Sequence, residues 1–230
     1  MTDRPIIFSA PMVLALLAGR KTMTRRLAWR FVGAGYPGNE NLVRKATPWQ
    51  RVKPGDRLWV RETWRSWRWN DGVKPHEFVA QWGKNDPRRY VGYVADDDIR
   101  RPHAGGEIEM DGKVRVAIHM PRWASRLTLT VTGARVERLQ AISETDAQAE
   151  GMVFVNHGTG AYGRARDGWH SDSAEAAKGP DYCLSTARFA FANLWGSLHG
   201  AGSWAANPEV VALTFTVHQH NIDTTERAAA

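Results

Sequence analysis

Apolar residues recur along this chain with two spacings, and each spacing predicts one kind of element. Near the start, the apolar run Ile6 to Phe8 predicts a short strand. Apolar positions between Val13 and Leu17 then follow helical spacing, with Pro11 suited to a first helical turn and Gly19 to a C-terminal cap. The chain is therefore predicted to begin with a strand and a helix.

Alternating apolar and polar residues, typical of strands with one buried face, mark several later segments. The first runs from Arg57 to Trp64 and puts a carboxylate, Glu62, on the apolar face that also carries Trp64. The others lie at 114–118, 127–131 and 211–217. Many strands and few helices predict an α+β fold, built as a small, mostly antiparallel sheet or barrel with long loops.

Two more helices are predicted in the second half of the chain. Ser143 followed by Asp146 resembles a capping box that opens a short helix ending at Gly151. A longer helix follows, with its apolar face between Phe191 and Leu198.

Three segments without a clear hydrophobic period interrupt this pattern, at 27–53, 65–112 and 153–184. None has enough periodic apolar sequence to fold alone, so we interpret them as loop insertions into a single domain spanning 1–220. The polar, glycine-rich third segment is typical of a mobile loop or lid. Residues 221–230 are predicted to form a flexible tail.

The amino-acid composition narrows the classes of molecule that could bind this protein. The 230 residues include 31 Lys and Arg against 24 Asp and Glu, and this charge of +7 favours a polyanionic partner or an anionic small ligand. Most of the 11 tryptophans suit a core, although rings beside arginine can also stack on bases. A single cysteine excludes an internal disulfide, and no apolar run reaches transmembrane length. We therefore expect a cytoplasmic protein with no membrane contact.

The densest polar cluster lies at 19–26 and contains four cations. These are Arg20, Lys21, Arg25 and Arg26. Like charges disfavour the protonated form of Lys21, and a neutral lysine beside a hydroxyl makes a weak nucleophile strong. Thr22 and Thr24 are both candidates for that hydroxyl, and their spacing does not decide between them. A solvated basic loop that grips phosphate is the alternative.

Glu150 is the second unusual residue. It lies in the last turn before Gly151, where the helix dipole disfavours negative charge. It also follows Asp146 by four residues, which places two like charges together on the helix. A residue that violates two local preferences is a candidate for a functional site, and a solvated glutamate is the alternative.

Other polar residues give weaker signals. His218 and His220 share one face of a predicted strand, but no third ligand has suitable spacing, so surface histidines are the simpler interpretation. Cys183 has no obvious histidine partner and is interpreted as inert. No metal ion and no cofactor is predicted.

Two motifs resemble a known family. A strand, a helix and then G-x-K-x-x-x-R, given by Gly19, Lys21 and Arg25, is similar to the ASCH-domain family, whose members share a PUA-like β-barrel with RNA-binding and modified-base-reading domains. The stretch L-A-G-R-K-T-M-T at 17–24 resembles the small N4-acetylcytidine amidohydrolases of that family, which also carry a glutamate late in a short helix, matched by Glu150.

Further segments resemble a larger, phage- and prophage-associated branch of the same family. That branch often reads P-G-D-x-L-W-V-R-E-T-W, matched at 54–64, and H-M-P-R-W-A-S-R, matched at 119–126. The segments that resemble this branch are 54–64, 118–139 and 204–215. The small enzymes are less than half as long, so the three predicted insertions have no counterpart in them.

The resemblance implies an amidohydrolase acting on N4-acylated cytosine or cytidine derivatives, with Thr24 as nucleophile, Lys21 as its proton acceptor and Glu150 as proton donor to the departing amine. It also implies substrate-binding residues, namely Arg20, Arg25 and Arg26, with Trp59 or Trp64 stacking on the base and Glu62 accepting a hydrogen bond from the cytosine edge. A modified nucleoside or base is the expected partner, and RNA is the second. The alternatives are a non-catalytic binder of RNA or modified bases and a ribonuclease of the same fold.

Overall fold

A computed structural model describes residues 1–32, 43–78, 91–97, 100–103, 106–160 and 165–224. The chain forms two compact units. The first comprises 1–18, 56–130 and 217–230, and the second comprises 19–55 and 131–216. Parts of the predicted insertions, including 33–42 and 79–90, and the end of the predicted tail, 225–230, lie outside the described residues.

The described part of the chain is rich in strands. They are β1 (Asp3–Ile7), β2 (Met23–Leu27), β3 (Trp29–Val32), β4 (Val43–Ala46), β5 (Arg57–Arg61), β6 (Trp64–Arg65), β7 (Gly92–Tyr93), β8 (Arg100–His103), β9 (Gly106–Glu109), β10 (Val114–Arg115), β11 (Thr128–Arg138), β12 (Val153–Thr159), β13 (Ala165–His170) and β14 (Glu209–His218). The α-helices are α1 (Ala10–Leu17), α2 (Glu144–Ala149), α3 (Ser173–Ala176) and α4 (Ala187–His199). None of these helices has the length and apolar character needed to cross a membrane.

Strand pairing in the first unit starts from β1 and β5, which run parallel with Ile6 opposite Val60. The first residues of β11 extend β5 in the antiparallel sense, with Thr128 opposite Trp59. A separate three-stranded sheet has the order β10-β6-β7, and β8 and β9 form a two-stranded hairpin.

Strand pairing in the second unit joins β2 to β14 in the antiparallel sense, with Thr24 opposite Leu213. Two hairpins, β3–β4 and β12–β13, belong to the same unit. The largest sheet has the strand order β1-β5-β11-β14-β2.

The α+β class is thus confirmed. The predicted barrel is not confirmed, since none of the sheets formed by the described strands closes on itself.

Several element boundaries differ from those predicted. The alternating strand from Arg57 to Trp64 is two strands, because β5 ends at Arg61 and β6 begins at Trp64. At 114–118 only the first two residues are a strand, and Ala117–His119 form a 3-10 turn. The glycine-rich segment 153–184, predicted as a mobile loop, contains the hairpin β12–β13 instead.

Helix α2 is short, and its start is fixed by its own sequence. The Ser143 hydroxyl accepts a hydrogen bond from the backbone N–H of Asp146 at 3.0 Å, as the predicted cap requires. The helix packs against α4 and contacts β2. It ends at Ala149, with Glu150 as its C-cap residue. Gly151 follows with φ +102°, a left-handed conformation that glycine adopts without a side-chain clash. The cap and the glycine together place Glu150 at the end of the helix.

We expect Ser143→Ala to lower the free energy of unfolding by about 1 kcal/mol, because it leaves a backbone N–H of the first turn without its acceptor. Ser143→Asp should retain the parent stability, since aspartate caps equally well. Urea unfolding followed by tryptophan fluorescence measures both. Ser197→Ala, at an exposed position of α4, is the matched control. A loss for Ser143→Ala no larger than that of the control would contradict the role of the cap.

Candidate active site

The two residues singled out from the sequence, Lys21 and Glu150, lie side by side in the second unit. Lys21 forms an isolated antiparallel bridge with Glu150, and the N–H of Thr22 donates to the carbonyl of Ala149 at 2.8 Å. Gly19, with φ +71°, directly precedes this bridge and turns the chain into it. Backbone pairing therefore fixes the relative position of the two side chains.

The side chains of Lys21 and Glu150 form a buried ion pair. The ammonium Nζ of Lys21 donates to Oε2 of Glu150 at 2.8 Å and to the Glu150 backbone carbonyl at 2.8 Å. The side chains are only 1% and 3% exposed. Such a pair is tolerated only when further hydrogen bonds compensate for the lost water.

Arg25 supplies this compensation on the other oxygen of Glu150. Its Nη1 donates to Oε1 of Glu150 at 3.2 Å. Its Nη2 donates to Oε1 of Glu137 at 2.7 Å and to Oδ2 of Asp146 at 2.6 Å. The Arg25 side chain is fully buried. The residue predicted to bind substrate is thus occupied by three carboxylates of its own protein.

Arg135 completes a closed set of contacts around Arg25. Its Nε donates to Oε2 of Glu137 at 2.8 Å, and its Nη2 donates to Oδ2 of Asp146 at 2.5 Å. We call the four residues Arg25, Glu137, Arg135 and Asp146 the ion-pair ring. The ring joins β2, β11 and α2, the three elements that surround the Lys21–Glu150 pair.

Burial lowers the pKa of the Lys21 amine, because the charged form has lost its water. The carboxylate of Glu150 opposes this effect, whereas the positive charges of Arg26 and Arg25 add to it. Burial also lowers the pKa of Arg26, to about 10. The sequence predicted that nearby cations disfavour the protonated form of Lys21. In the structure those cations do lower its pKa, but burial is the larger cause.

The two candidate hydroxyls differ in environment. Thr24 is buried in β2, whereas Thr22 is exposed just before the strand. Because side chains alternate along a strand, Thr24 and Arg26 lie on the opposite face of β2 from Arg25. The nucleophilic role of Thr24 remains a prediction.

Helix α4 contributes aromatic residues near the same cations. The Arg25 guanidinium lies 5.9 Å from the ring centroid of Phe191. His199 stacks on the buried Trp195 with centroids 4.0 Å apart, and burial and the charge of Arg26 lower the pKa of His199. The Arg26 guanidinium itself lies 5.5 Å from the ring centroid of Trp49.

The sequence reasoning did not single out Arg135, Glu137 or His199. Arg135 and Glu137 are two residues apart on β11, so they lie on one face of that strand. Opposite charges two residues apart on a strand are a signal that could have found them. Arg20 was singled out, and its Nη1 donates to the backbone carbonyl of Gly151 at 2.9 Å.

The remaining predicted substrate-binding residues belong to the first unit. Trp64 is completely buried in a cluster that includes Phe78 and Tyr93, so neither ring face is open to a ligand. Both carboxylate oxygens of the buried Glu62 accept hydrogen bonds from Arg126 at 2.9 Å. Trp59 is nearly buried. All three side chains are buried within the first unit, and their binding roles remain predictions.

The first unit also contains an open groove of about 570 Å³. Its charged and polar lining is basic and comprises Arg61, His76, Lys113, Arg115 and His119. Three aliphatic side chains of the lining, Val114, Val116 and Ile118, are exposed. The lining includes none of the three residues predicted to be catalytic.

Among the described residues, no cluster of three or more His, Cys, Asp or Glu side chains could hold a metal ion. The rings of His218 and His220 are 5.4 Å apart, and Nε2 of His218 lies 3.1 Å from the Thr130 hydroxyl. Cys183 does have a histidine neighbour, since its Sγ lies 3.8 Å from Nε2 of His157. Burial raises the pKa of the Cys183 thiol, which disfavours the reactive thiolate.

Comparison with models of known protein families, with curated proteins and with solved structures finds no match to this chain.

We expect the stability of the parent protein to increase with pH below the ordinary lysine pKa near 10.5. Burial holds the pKa of Lys21 below that value, so between the two values the unfolded chain binds more protons than the folded chain. The free energy of unfolding therefore rises with pH in this interval. Lys21→Met should remove this part of the slope, measured by urea unfolding between pH 7 and pH 10. Lys45→Met, at an exposed position, should keep it. Equal slopes for parent and Lys21→Met would contradict the interpretation.

Proposed function

We propose that this protein is an amidohydrolase that removes the acyl group from N4-acylated cytosine or cytidine, and that it belongs with the ASCH-domain family and its PUA-like fold. One observation carries the proposal: Nζ of Lys21 and Oε2 of Glu150 are in direct contact, 2.8 Å apart, in a buried site. The motif resemblance assigns a base and an acid to these two residues, which are 129 positions apart in the chain.

The pair can supply a base and an acid at the same time. An ammonium beside a carboxylate holds the same number of protons as a neutral amine beside a carboxylic acid, and one proton transfer along the 2.8 Å hydrogen bond interconverts them. Burial lowers the pKa of Lys21 and so favours the neutral amine. In that form Lys21 can accept a proton while Glu150 can donate one.

The proposed reaction uses both groups in turn. The Thr24 hydroxyl oxygen bonds to the acyl carbon, and its proton passes to Nζ of Lys21. The C–N bond to the exocyclic amine then breaks, and that nitrogen takes the proton of Glu150, which releases cytosine or cytidine. Water next attacks the acyl carbon of the Thr24 ester and passes one proton to the Glu150 carboxylate. The ester C–O bond then breaks, the Thr24 oxygen takes a proton from the Lys21 ammonium, and the carboxylic acid leaves. The hydroxyl of Thr24 and the one-proton pair are thereby restored.

We expect the parent protein to convert N4-acetylcytidine into cytidine. The cytidine formed is measured by chromatography. Lys21→Ala and Glu150→Gln should each lower kcat/KM by about 10²- to 10⁴-fold, because each removes a proton-transfer group. Thr24→Val should abolish turnover, and Thr24→Ser should retain part of it.

Thr22→Val is the matched control for the nucleophile, since Thr22 is the other hydroxyl in the motif and is exposed. It should remain active. Failure of the parent protein to form cytidine would overturn the proposed function. A loss on Thr22→Val with an active Thr24→Val would move the nucleophile to Thr22.

Binding of single-stranded nucleic acid is the second candidate function, and the groove of the first unit favours it. The described residues of the groove lining include three permanent cations, Arg61, Lys113 and Arg115. In the same unit Trp67 and Trp69 stack with centroids 4.9 Å apart, and Trp69 is 63% exposed. Cations with exposed rings are the usual means of holding a single strand.

If the groove binds RNA, the affinity for a single-stranded oligonucleotide should fall with salt, with a slope of about 0.7 per phosphate contact. Lys113→Gln should reduce that slope by about one contact, and Trp69→Ala should weaken binding with an unchanged slope. Fluorescence anisotropy at several salt concentrations measures both. Lys178→Gln, an exposed lysine of the second unit, is the control. Binding that resists salt, or that Lys178→Gln weakens as much as Lys113→Gln does, would remove this candidate.

A further inference from the structure

We propose that the ion-pair ring of Arg25, Glu137, Arg135 and Asp146 sets the proton balance of the Lys21–Glu150 pair, with Asp146 and Arg135 as positioning residues that act through Arg25. This inference rests on the proposed function where it concerns catalysis. The ring contacts the pair through the hydrogen bond from Nη1 of Arg25 to Oε1 of Glu150.

The geometry makes Arg25 the link. Lys21 binds Oε2 of Glu150 and Arg25 binds Oε1, so each carboxylate oxygen has a cationic donor. The opposite amino group of the guanidinium, Nη2, lies between the carboxylates of Glu137 and Asp146, at 2.7 and 2.6 Å. The attraction that Arg25 exerts on Glu150 is therefore reduced by two negative charges on its far side.

Arg135 acts in the opposite sense. It binds both Glu137 and Asp146, at 2.8 and 2.5 Å, and so offsets the negative charge that those carboxylates present to Arg25. The charges alternate outward from the pair: Arg25 positive, the two carboxylates negative, Arg135 positive. Removing one negative member and removing one positive member must then shift the pair in opposite directions.

The other charged groups around the pair come from several elements. The segment before β2 carries Arg20, β2 itself carries Arg26, and α4 carries His199, whose pKa the charge of Arg26 lowers. None of these three is a member of the ring. All three are the same in the parent and in every ring variant, so the titration of His199 contributes equally to each pH profile.

Asp146 and Arg135 are the members best suited to substitution. Their side chains are 21% and 46% exposed, whereas Arg25 is fully buried. The backbone N–H of Asp146, which binds the helix cap, is unaffected by a change of its side chain. Asp146→Asn and Arg135→Gln each keep the size of the side chain nearly constant and remove one charge.

The direction of each shift follows from the charges. Asp146→Asn leaves Arg25 less compensated, which stabilises the Glu150 carboxylate and disfavours the Lys21 ammonium, so the pair loses protons at lower pH. Arg135→Gln removes the positive charge that offsets the carboxylates of Glu137 and Asp146. Their negative charge then favours the protonated pair, which holds its protons to higher pH. We expect shifts of about 0.5 to 1 pH unit, as one charge at this range gives in a partly buried site.

The experiment records kcat/KM for N4-acetylcytidine against pH in both variants. The acidic limb of the profile should move to lower pH in Asp146→Asn and to higher pH in Arg135→Gln. A mutation that merely loosened the structure would lower the rate, but it would not shift the acidic limbs of the two variants in opposite directions. Two controls change charges outside the ring. Glu144→Gln removes one negative charge from α2, as Asp146→Asn does. Arg138→Gln removes one positive charge from β11, as Arg135→Gln does. Both control profiles should coincide with that of the parent.

A second measurement separates this inference from the proposed function. The pH titration of the Glu150 carboxyl carbon, followed by NMR in ¹³C-labelled protein, should show the same opposite shifts whether or not the substrate is hydrolysed. Opposite NMR shifts in a protein that forms no cytidine would support the ring and overturn the proposed function. Titrations of Asp146→Asn and Arg135→Gln that coincide with those of Glu144→Gln and Arg138→Gln would overturn the ring.

Discussion

The buried contact between the Lys21 ammonium and the Glu150 carboxylate imposes the strongest physical requirement on the second unit. Moving two charges out of water costs several kcal/mol for each ion, and their mutual attraction offsets this only when the remaining donors and acceptors are also satisfied. The site meets this requirement with the backbone carbonyl of Glu150 for Lys21 and with Arg25 for the second carboxylate oxygen. Removal of either partner would leave an incompletely compensated buried charge.

Several local features of the second unit meet this requirement, because each helps to fix the position of the Lys21–Glu150 pair. The Ser143 cap and Gly151 define the two ends of α2, and the bridge between Lys21 and Glu150 aligns the end of that helix with the start of β2. Strand β11 adds the charged face that holds Arg25 from the other side. An ion pair whose desolvation cost offsets much of its own attraction is thus surrounded by features that fix its geometry.

The local part of this arrangement could be predicted from the sequence, because it depends on short-range rules. The cap at Ser143, the glycine after α1 and the unfavourable position of Glu150 are all legible within a few residues. The ion-pair ring could not be predicted, since Arg25 and Glu137 are 112 residues apart and only the sheet order brings them together. Periodicity also placed Glu62 and Trp64 on an apolar face, but it could not distinguish a pocket wall from a core, and Trp64 lies in a core.

The positive charge and the proposed chemistry are largely separate matters. Several arginines, such as Arg25, Arg57 and Arg126, lie in ion pairs with acidic side chains of their own unit. Each such pair cancels one positive and one negative charge, so the excess of +7 comes from cations elsewhere, such as Lys113 in the groove of the first unit. Deacylation of a neutral nucleoside needs no such excess, because the pair and the hydroxyl supply every proton transfer. The charge therefore bears on which molecules the protein attracts, whereas the buried pair bears on the reaction that we propose.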